Sequence, residues 1–372
     1  MPDSQQVNPK AKQQRFPCSA CGADLVFDPK ENCLVCPYCG HKEAIPTTDA
    51  LVEERLLDDF LRPGGERLAK VAENAIEVSC TRCGATVTFT PPEVAGDCPF
   101  CGSTIVAQPK AADPMVAPEA VLPFSVTQQQ ANAAIKRWLS SRWFAPNALK
   151  KLAYQESISG VYIPFWTYDA NTRSYYTGER GEHYYVTEQY TDTDAQGNTV
   201  TKTRQVQHTR WYSASGEVAR SFDDILIPAT KSVSRPRLAQ LEPWDLHQLN
   251  PYDPAFLSGF KAQRYQVEMV EGFEEAKGIM APVIEGDVRR DIGGDVQRVH
   301  SINTSYFDKT FKHILLPVYI GAYRFNQKIY QVMINARTGE VQGDRPYSVW
   351  KIALLIIFIL IVVALVAYLK GR

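Results

Sequence analysis

The sequence predicts an α+β protein that consists of two short cysteine-rich modules, a larger domain rich in antiparallel strands, and one C-terminal apolar helix. Three observations predict this fold class. A phrase with four cysteines occurs twice near the start, stretches of alternating apolar and polar residues follow, and an unbroken apolar run extends from Ile352 to Leu369. A length of 372 residues allows two or three domains.

The predicted order of segments follows from these patterns. It is a disordered lead (1–15), a first cysteine module (16–46), a helical linker (47–76), a second cysteine module (77–108), a short linker (109–120), the α+β domain (121–346) with a projecting hairpin (183–212), and the apolar helix (350–369).

The cysteine phrase is an internal duplication. CSAC and CPYC in the first copy correspond to CTRC and CPFC in the second, 62 residues later. Gly22, Phe27, Pro37 and Gly40 also recur at the same offset. Agreement at so many positions indicates a repeated structural unit.

Two CxxC turns supply the four thiolates that a tetrahedral Zn²⁺ ion prefers, and a segment this short needs a metal to fold. The sequence therefore predicts two zinc ribbons, each holding one structural Zn²⁺ ion. Four thiolates leave no open coordination position, so the sites are predicted to be structural. The eight predicted ligands are Cys18, Cys21, Cys36, Cys39, Cys80, Cys83, Cys98 and Cys101.

Two other residues lie beside the first predicted site. Cys33 is interpreted as a spare thiol packed within the module and His41 as a surface residue. Because the knuckles CPYCG and CPFCG also occur in rubredoxins, a redox-active iron protein is an alternative.

The linker between the modules carries leucines at helical spacing after a Thr48/Asp49 cap, so a helix is predicted there. Its apolar stripe is expected to pack on the two modules, and a partner-binding groove is the alternative.

Charge argues against nucleic acid as the partner of the modules. Residues 1–110 contain 11 Lys and Arg against 15 Asp and Glu, whereas phosphate binding needs the opposite balance. The whole chain has a net charge of -1. Nucleic-acid binding through the ribbons is kept only as an alternative function.

The α+β domain is predicted from its strands and helices. Two arms rich in β-branched and aromatic residues flank AQGN and predict the hairpin 183–212, which has too few apolar residues for two buried faces. KIYQVMINARTGEVQG predicts a second hairpin with its bend at Thr338-Gly339. A long amphipathic helix is predicted after NPYDP, and its candidate core contacts are Phe256, Phe260, Val267, Val270, Phe273, Ile279 and Val283.

The C-terminal run predicts a membrane-spanning helix. Ile352 to Leu369 corresponds to about 27 Å of helix at 1.5 Å per residue, which just spans a hydrocarbon core. Trp350 and Tyr368 stand at the two expected interfaces. Residues 1–17 lack the apolar region of a signal peptide, and paired cysteines suit a reducing compartment. A single-pass cell-membrane protein with most of its chain in the cytoplasm is therefore expected, with the lipid bilayer as one partner.

No catalytic motif stands out in the sequence. It contains no GxxxxGK[ST] loop, no GxSxG elbow and no HExxH pair, and the six histidines lack i, i+4 spacing. The sequence therefore predicts a protein that is not an enzyme.

Together, the two CxxCG/CPxCG modules, IPFWTYDA, YYTGERG, PWDLHQLNPYDPAFLSGF and the late apolar span resemble a group of bacterial membrane proteins. These are often labelled TFIIB-type zinc-ribbon proteins or relatives of the primosomal helicase. The resemblance covers about residues 16–369. It implies an association with flotillin-like (SPFH) and phage-shock-protein-A-like membrane proteins in envelope maintenance, and hence a scaffold that recruits or positions protein partners.

Overall fold

A computed structural model gives the fold of the chain. The described residues are 16–46, 52, 54–61, 76–80, 85–89, 95–101, 103–106, 110–111, 116–144, 146, 158–193, 195, 197–325, 328–344 and 347–370. The predicted lead and Cys83 lie outside them. The fold is mixed α+β with extensive antiparallel sheets, two cysteine clusters near the N-terminus and one apolar C-terminal helix, which confirms the predicted class at that level.

The first cysteine module forms its own small antiparallel sheet. Strands β1 (Val26–Asp28), β2 (Cys33–Val35) and β3 (Lys42–Glu43) pair in that order. β1 presents Phe27 to the interior, where it is 2% exposed.

The linker segment differs from its prediction. Its described residues form strand β4 (Arg55–Leu56) and a short helix, α1 (Leu57–Leu61). Leu57 is buried, and the Phe60 ring lies 5.0 Å from the ring of Phe311 in the α+β domain. The prediction that this helix packs on the cysteine modules is therefore wrong, because its apolar side chains contact the larger domain.

The strands of the second cysteine module are divided between the large sheet and a separate two-stranded sheet. They are β5 (Ile76–Ser79), β6 (Thr86–Phe89), β7 (Ala95–Asp97), β8 (Thr104–Val106) and β9 (Lys110–Ala111). β7 and β8 pair with each other, whereas β6 pairs with both β5 and a strand of the α+β domain.

The α+β domain is built on three very long strands. Its elements, in chain order, are β10 (Ala120–Val121), α2 (Gln128–Ser140), β11 (Ser159–Thr193), β12 (Thr199–Pro228), α3 (Arg235–Ala239), 3₁₀ turns at Leu246–Gln248 and Pro254–Leu257, β13 (Asn250–Pro251), β14 (Lys261–Gln263), α4 (Met269–Ile292), β15 (Val296–Phe325), β16 (Lys328–Asn335) and β17 (Val341–Gly343). β11 lies between β12 and β15, and β14 pairs with β6 of the second cysteine module.

The burial pattern of β11 changes along its length. From 161 to 168 the residues are buried in succession, as in a strand covered on both faces. From 170 to 178 buried and exposed residues alternate, as in a strand covered on one face. The core of the molecule therefore surrounds the first part of β11.

Helix α4 covers the inner face of this alternating part, but with different residues from those predicted. Val270, Ile279 and Val283 are 45%, 47% and 41% exposed, so their assignment to the core is wrong. The contact face instead follows an i, i+4 series that begins with two small residues, and a Cβ on Gly272 would lie 2.4 Å from Tyr168 Oη. The buried residues of the helix are Gly272, Phe273, Ala276, Met280, Ile284, Val288 and Ile292. A search for large apolar residues does not recognise the start of this series, because its first members are glycine and alanine.

Beyond the helix, β11 and β12 continue as a two-stranded hairpin. β15 accompanies β11 up to the pair Gly181↔Val296, whereas β11 and β12 stay paired up to Thr193↔Thr199. The outer part, which we call the ribbon, comprises 182–193 and 199–210 and is about 40 Å long at 3.3 Å per residue. Among the described strands these segments pair only with each other.

The second predicted hairpin is formed by β16 and β17. Its turn contains Gly339 at φ +77°, at the bend predicted from Thr338-Gly339.

The apolar C-terminal helix is α5 (Val349–Lys370). Its segment Trp350–Lys370 has a mean hydropathy of 3.4 and is not buried against the rest of the chain. By length and composition it is a candidate membrane span.

Candidate metal centres

Each cysteine pair of the first module lies on a tight turn held by its own backbone. The Cys18 amide donates to the Ala23 carbonyl at 2.7 Å, and the Cys36 amide donates to the His41 carbonyl at 2.8 Å. Gly40 follows the second pair at φ +73°, a conformation that glycine adopts without a steric penalty. These turns direct both cysteine pairs toward one point.

The second module repeats these turns at the 62-residue offset. The Cys80 amide donates to the Ala85 carbonyl and the Cys98 amide to the Ser103 carbonyl, each at 2.8 Å. Strand register repeats as well, because Val35↔Lys42 in the first module corresponds to Asp97↔Thr104 in the second. The duplication in the sequence is thus a duplication of backbone geometry.

The first cluster consists of the four predicted cysteines of the first module. The Sγ atoms of Cys18 and Cys39 are 3.6 Å apart, those of Cys21 and Cys36 are 3.5 Å apart, and all four lie within 4.8 Å of one another. A disulfide would require about 2.05 Å. A metal with bonds of about 2.3 Å to four tetrahedral sulfurs would place them about 3.8 Å apart. The cluster therefore fits a tetrahedral ion.

The second cluster contains Cys80, Cys98 and Cys101, whose sulfur atoms also lie within 4.8 Å of one another. Cys80 Sγ and Cys101 Sγ are 3.6 Å apart. The fourth predicted ligand, Cys83, lies outside the described residues. Ser103 Oγ is 3.0 Å from Cys101 Sγ and 3.2 Å from Cys80 Sγ, so its hydroxyl can donate to a bound thiolate.

Backbone amides favour the thiolate form that a metal requires. The amide of Cys39 points at the Cys36 sulfur and lowers the pKa of that thiol to about 6, although burial acts in the opposite direction. The His41 amide also lowers the pKa of Cys39, but the sulfur atoms of Cys21 and Cys36 raise it to about 12, so a bound cation must displace protons from the cluster.

The two neighbouring residues of the first site do not join it. Cys33 lies on β2 outside the cluster of four. His41 Nε2 lies 3.0 Å from Ser19 Oγ and 3.6 Å from a carboxylate oxygen of Glu43. Both residues therefore have the places expected from the sequence.

The surroundings of the first cluster show how its module docks. Phe27 makes an edge-to-face contact with Phe256 at 5.4 Å, its amide donates to the Ser258 carbonyl, and the Ser258 hydroxyl donates to the Leu25 carbonyl. The turn that follows NPYDP is thus a docking site for the first module. Sequence reasoning missed this role, although the density of prolines and aromatic residues there marks an ordered turn.

The second cluster is part of the main core. Cys80, Cys98 and Cys101 pack in one hydrophobic cluster with Val161, Phe165, Leu241, Trp244 and Met333. Phe100, between Cys98 and Cys101, is 0% exposed, and its carbonyl accepts a hydrogen bond from the Gln331 side chain. The second cluster therefore joins β5 and β6 to the centre of the α+β domain.

One member of a third group of possible ligands, Glu54, Asp169 and Asp223, pairs with a lysine. Lys312 is 7% exposed, and its Nζ lies 3.2 Å from Glu54 and 2.8 Å from Asp224. The ion pair between Lys312 and Glu54 joins the segment before β4 to β15.

His313 and Glu119 are two buried titratable residues in contact, because the His313 backbone amide donates to the Glu119 carboxylate. Burial lowers the pKa of His313 to about 4 and raises the pKa of Glu119 to about 7, the latter opposed by Arg55. His313 Nδ1 lies 2.8 Å from the Val116 carbonyl, and the residue is 0% exposed. A solvent-borne substrate cannot reach it, so its role is structural.

Comparison with known proteins gives a relative that matches most of the chain. Over 345 residues the chain is 25% identical to the uncharacterized protein YdjG of Bacillus subtilis (strain 168), which covers 91% of this chain and 92% of the relative. No protein-family model matches the chain, and no solved structure matches it. The likeness therefore extends over most of the length of both chains.

Proposed function

We propose that this chain is a membrane-anchored scaffold, with its body on the cytosolic face of a bacterial membrane, that recruits or positions other membrane-associated proteins. The observation that carries the proposal is the attachment of an exposed, uniformly apolar helix to a body from which the ribbon extends. An anchor and a protruding binding surface are the two parts that a membrane scaffold needs.

The two cysteine clusters are proposed to be zinc ribbons with structural Zn²⁺ ions. Four converging thiolates leave no position for water or substrate, and Zn²⁺ has no redox chemistry of its own. Elemental analysis of the purified full chain is expected to give two zinc equivalents. Iron in their place, with a coloured protein, would favour the rubredoxin-like alternative.

The ribbon is the proposed surface for protein partners. Tyr185 is 63% exposed, and Tyr184, Val186 and Tyr190 are each about 40% exposed. Aromatic side chains are enriched in protein interfaces, and an unpaired strand edge can accept a partner strand. Flotillin-like (SPFH) or phage-shock-protein-A-like proteins are the candidate partners that the resemblance implies.

Crosslinking in native membranes followed by mass spectrometry tests the proposal. The matched variant replaces 184–208 by Asn-Gly, which joins His183 to Thr209 through a two-residue turn and keeps the paired strands below it. We expect the full chain to capture protein partners and the shortened chain to lose them while it keeps its metal and its membrane association. An identical set of partners from both chains would contradict the role of the ribbon. The absence of any partner, together with turnover of a metabolite by the purified protein, would contradict the scaffold.

A further inference from the structure

The turn that follows helix α2 is hydrogen-bonded to the N-terminal end of the apolar helix α5. The Ser348 amide donates to the Phe144 carbonyl at 2.8 Å, and Lys351 Nζ donates to the Trp143 carbonyl at 2.9 Å. The apolar run of α5 begins one residue after Lys351. If α5 spans a membrane, these hydrogen bonds hold Trp143 at the level of the lipid headgroups.

Large aromatic side chains at this junction point into solvent rather than into the core. Trp143 is 74% exposed, Trp350 79% and Tyr347 58%. Tryptophan and tyrosine concentrate at membrane interfaces, because the ring enters the boundary region while its polar group stays hydrated.

The same end of α2 is basic. Lys136 and Arg137 are both exposed on its last turns, and the sequence contains no acidic residue between Glu119 and Glu156. The whole chain, in contrast, has a net charge of -1, so positive charge is concentrated beside the anchor. Lys136 and Arg137 lie four and three residues before the end of α2 at Ser140, and Trp143 follows three residues after that end.

We propose that this surface, formed by Lys136, Arg137, Trp143, Tyr347, Trp350 and Lys351, binds anionic phospholipid headgroups and holds the body against the bilayer. We call it the headgroup surface. The inference rests on the membrane anchor of the proposed function and adds a second, electrostatic contact to it. A basic surface beside a membrane helix is attracted to the anionic leaflet, and each Lys or Arg near that leaflet contributes about fivefold to binding. The body is then fixed relative to the membrane, and the ribbon is presented in a defined direction.

Photocrosslinking of the full chain in lipid nanodiscs tests this proposal. A photoreactive phenylalanine analogue replaces Trp143 and, in a matched control, Tyr212, which is an exposed aromatic residue on β12. The discs contain either phosphatidylglycerol with phosphatidylethanolamine or phosphatidylcholine alone. We expect lipid adducts at position 143 and not at 212, with at least about fivefold more adduct in the anionic discs. The double substitution Lys136→Gln and Arg137→Gln is expected to reduce the yield to that of the phosphatidylcholine discs.

Three outcomes would overturn the proposal: equal lipid adducts at positions 143 and 212, an adduct yield that does not depend on lipid charge, or adducts at 143 that join two copies of the chain. Co-elution of the chain with the nanodisc separates this inference from its premise. A chain that leaves the disc contradicts the anchor itself, whereas a chain that stays in the disc without lipid adducts at 143 contradicts only the headgroup surface.

Discussion

The two cysteine modules share one backbone conformation, but they differ in how they contact the rest of the molecule. The clearest difference lies at one pair of equivalent positions, where Tyr38 in CPYC is 84% exposed and Phe100 in CPFC is 0% exposed. In the first cluster Cys21 and Cys39 are exposed, whereas all three described cysteines of the second cluster are buried. Both modules pack against the domain, but one copy keeps a separate sheet with an exposed cysteine pair and the other contributes strands to the large sheet.

If each cluster holds the proposed ion, that ion stabilises a different part of the structure in each copy. The first module closes its own three-stranded sheet, and its residues Cys18 and Phe27 share a hydrophobic cluster with Phe124 and Phe256 of the domain. The second module gives strand β6 to the large sheet and Phe100 to its core. Loss of the first site should be a local event, and loss of the second a global one.

Removal of cysteines from each cluster should give the largest contrast. Cys98→Ser with Cys101→Ser is expected to prevent folding of the body, because structural metal sites of this type contribute about 10 kcal/mol or more and a whole domain is stable by only about 5 to 15 kcal/mol. Cys36→Ser with Cys39→Ser should unfold only the first module. Near-ultraviolet circular dichroism and limited proteolysis of the full chain in detergent distinguish these results. Equal loss of tertiary signal in both variants would refute the contrast.

The aromatic residue in the second CxxC pair of each module allows a matched pair of single substitutions. Phe100→Ala should destabilise the protein by about 3 to 5 kcal/mol, as is typical when a fully buried phenylalanine is removed. Tyr38→Ala should change stability by less than about 0.5 kcal/mol, because its ring is in solvent. Denaturant midpoints followed by tryptophan fluorescence measure both. Similar midpoints for the two variants would show that burial at these positions does not differ.

A chelator should remove the two proposed ions at different rates. The exposed Cys21 and Cys39 allow a chelator to reach the first cluster in the folded protein, whereas the second cluster must open with the core around it. With a chromogenic chelator we expect two phases of one equivalent each, with rates that differ by about tenfold or more, equivalent to about 1.4 kcal/mol of opening free energy. The Cys36→Ser, Cys39→Ser variant lacks the first site, so the same chelator should release metal from it only in the slow phase. Release of both equivalents in one phase would contradict different accessibility.

The sequence predicted the duplication and the cysteine ligands because both depend on local spacing. CxxC turns, the following glycine and the short strands recur within about 25 residues, and the structure brings seven of the eight cysteines into two clusters. It did not predict that Phe100 would be buried and Tyr38 exposed, because this depends on which surface of a distant strand each module meets. Part of the α4 face was missed because the buried series begins with Gly272 and Ala276, which carry no large apolar side chain. A single sequence does not show which distant surface each module contacts.

The contact between the first module and the domain gives the smallest and most local test. Gly259 has φ +84°, and a Cβ there would lie 2.2 Å from a methyl carbon of Val26. Gly259→Ala should therefore cost about 1 to 2 kcal/mol from backbone conformation alone and, in addition, displace β1. Gly197→Ala is the matched control, because Gly197 has φ +85° with open space around its Cβ position. Hydrogen exchange at the Phe27 amide, which donates to the Ser258 carbonyl, should accelerate in Gly259→Ala and stay unchanged in Gly197→Ala. Unchanged exchange in both would mean that the module is held by contacts other than this turn.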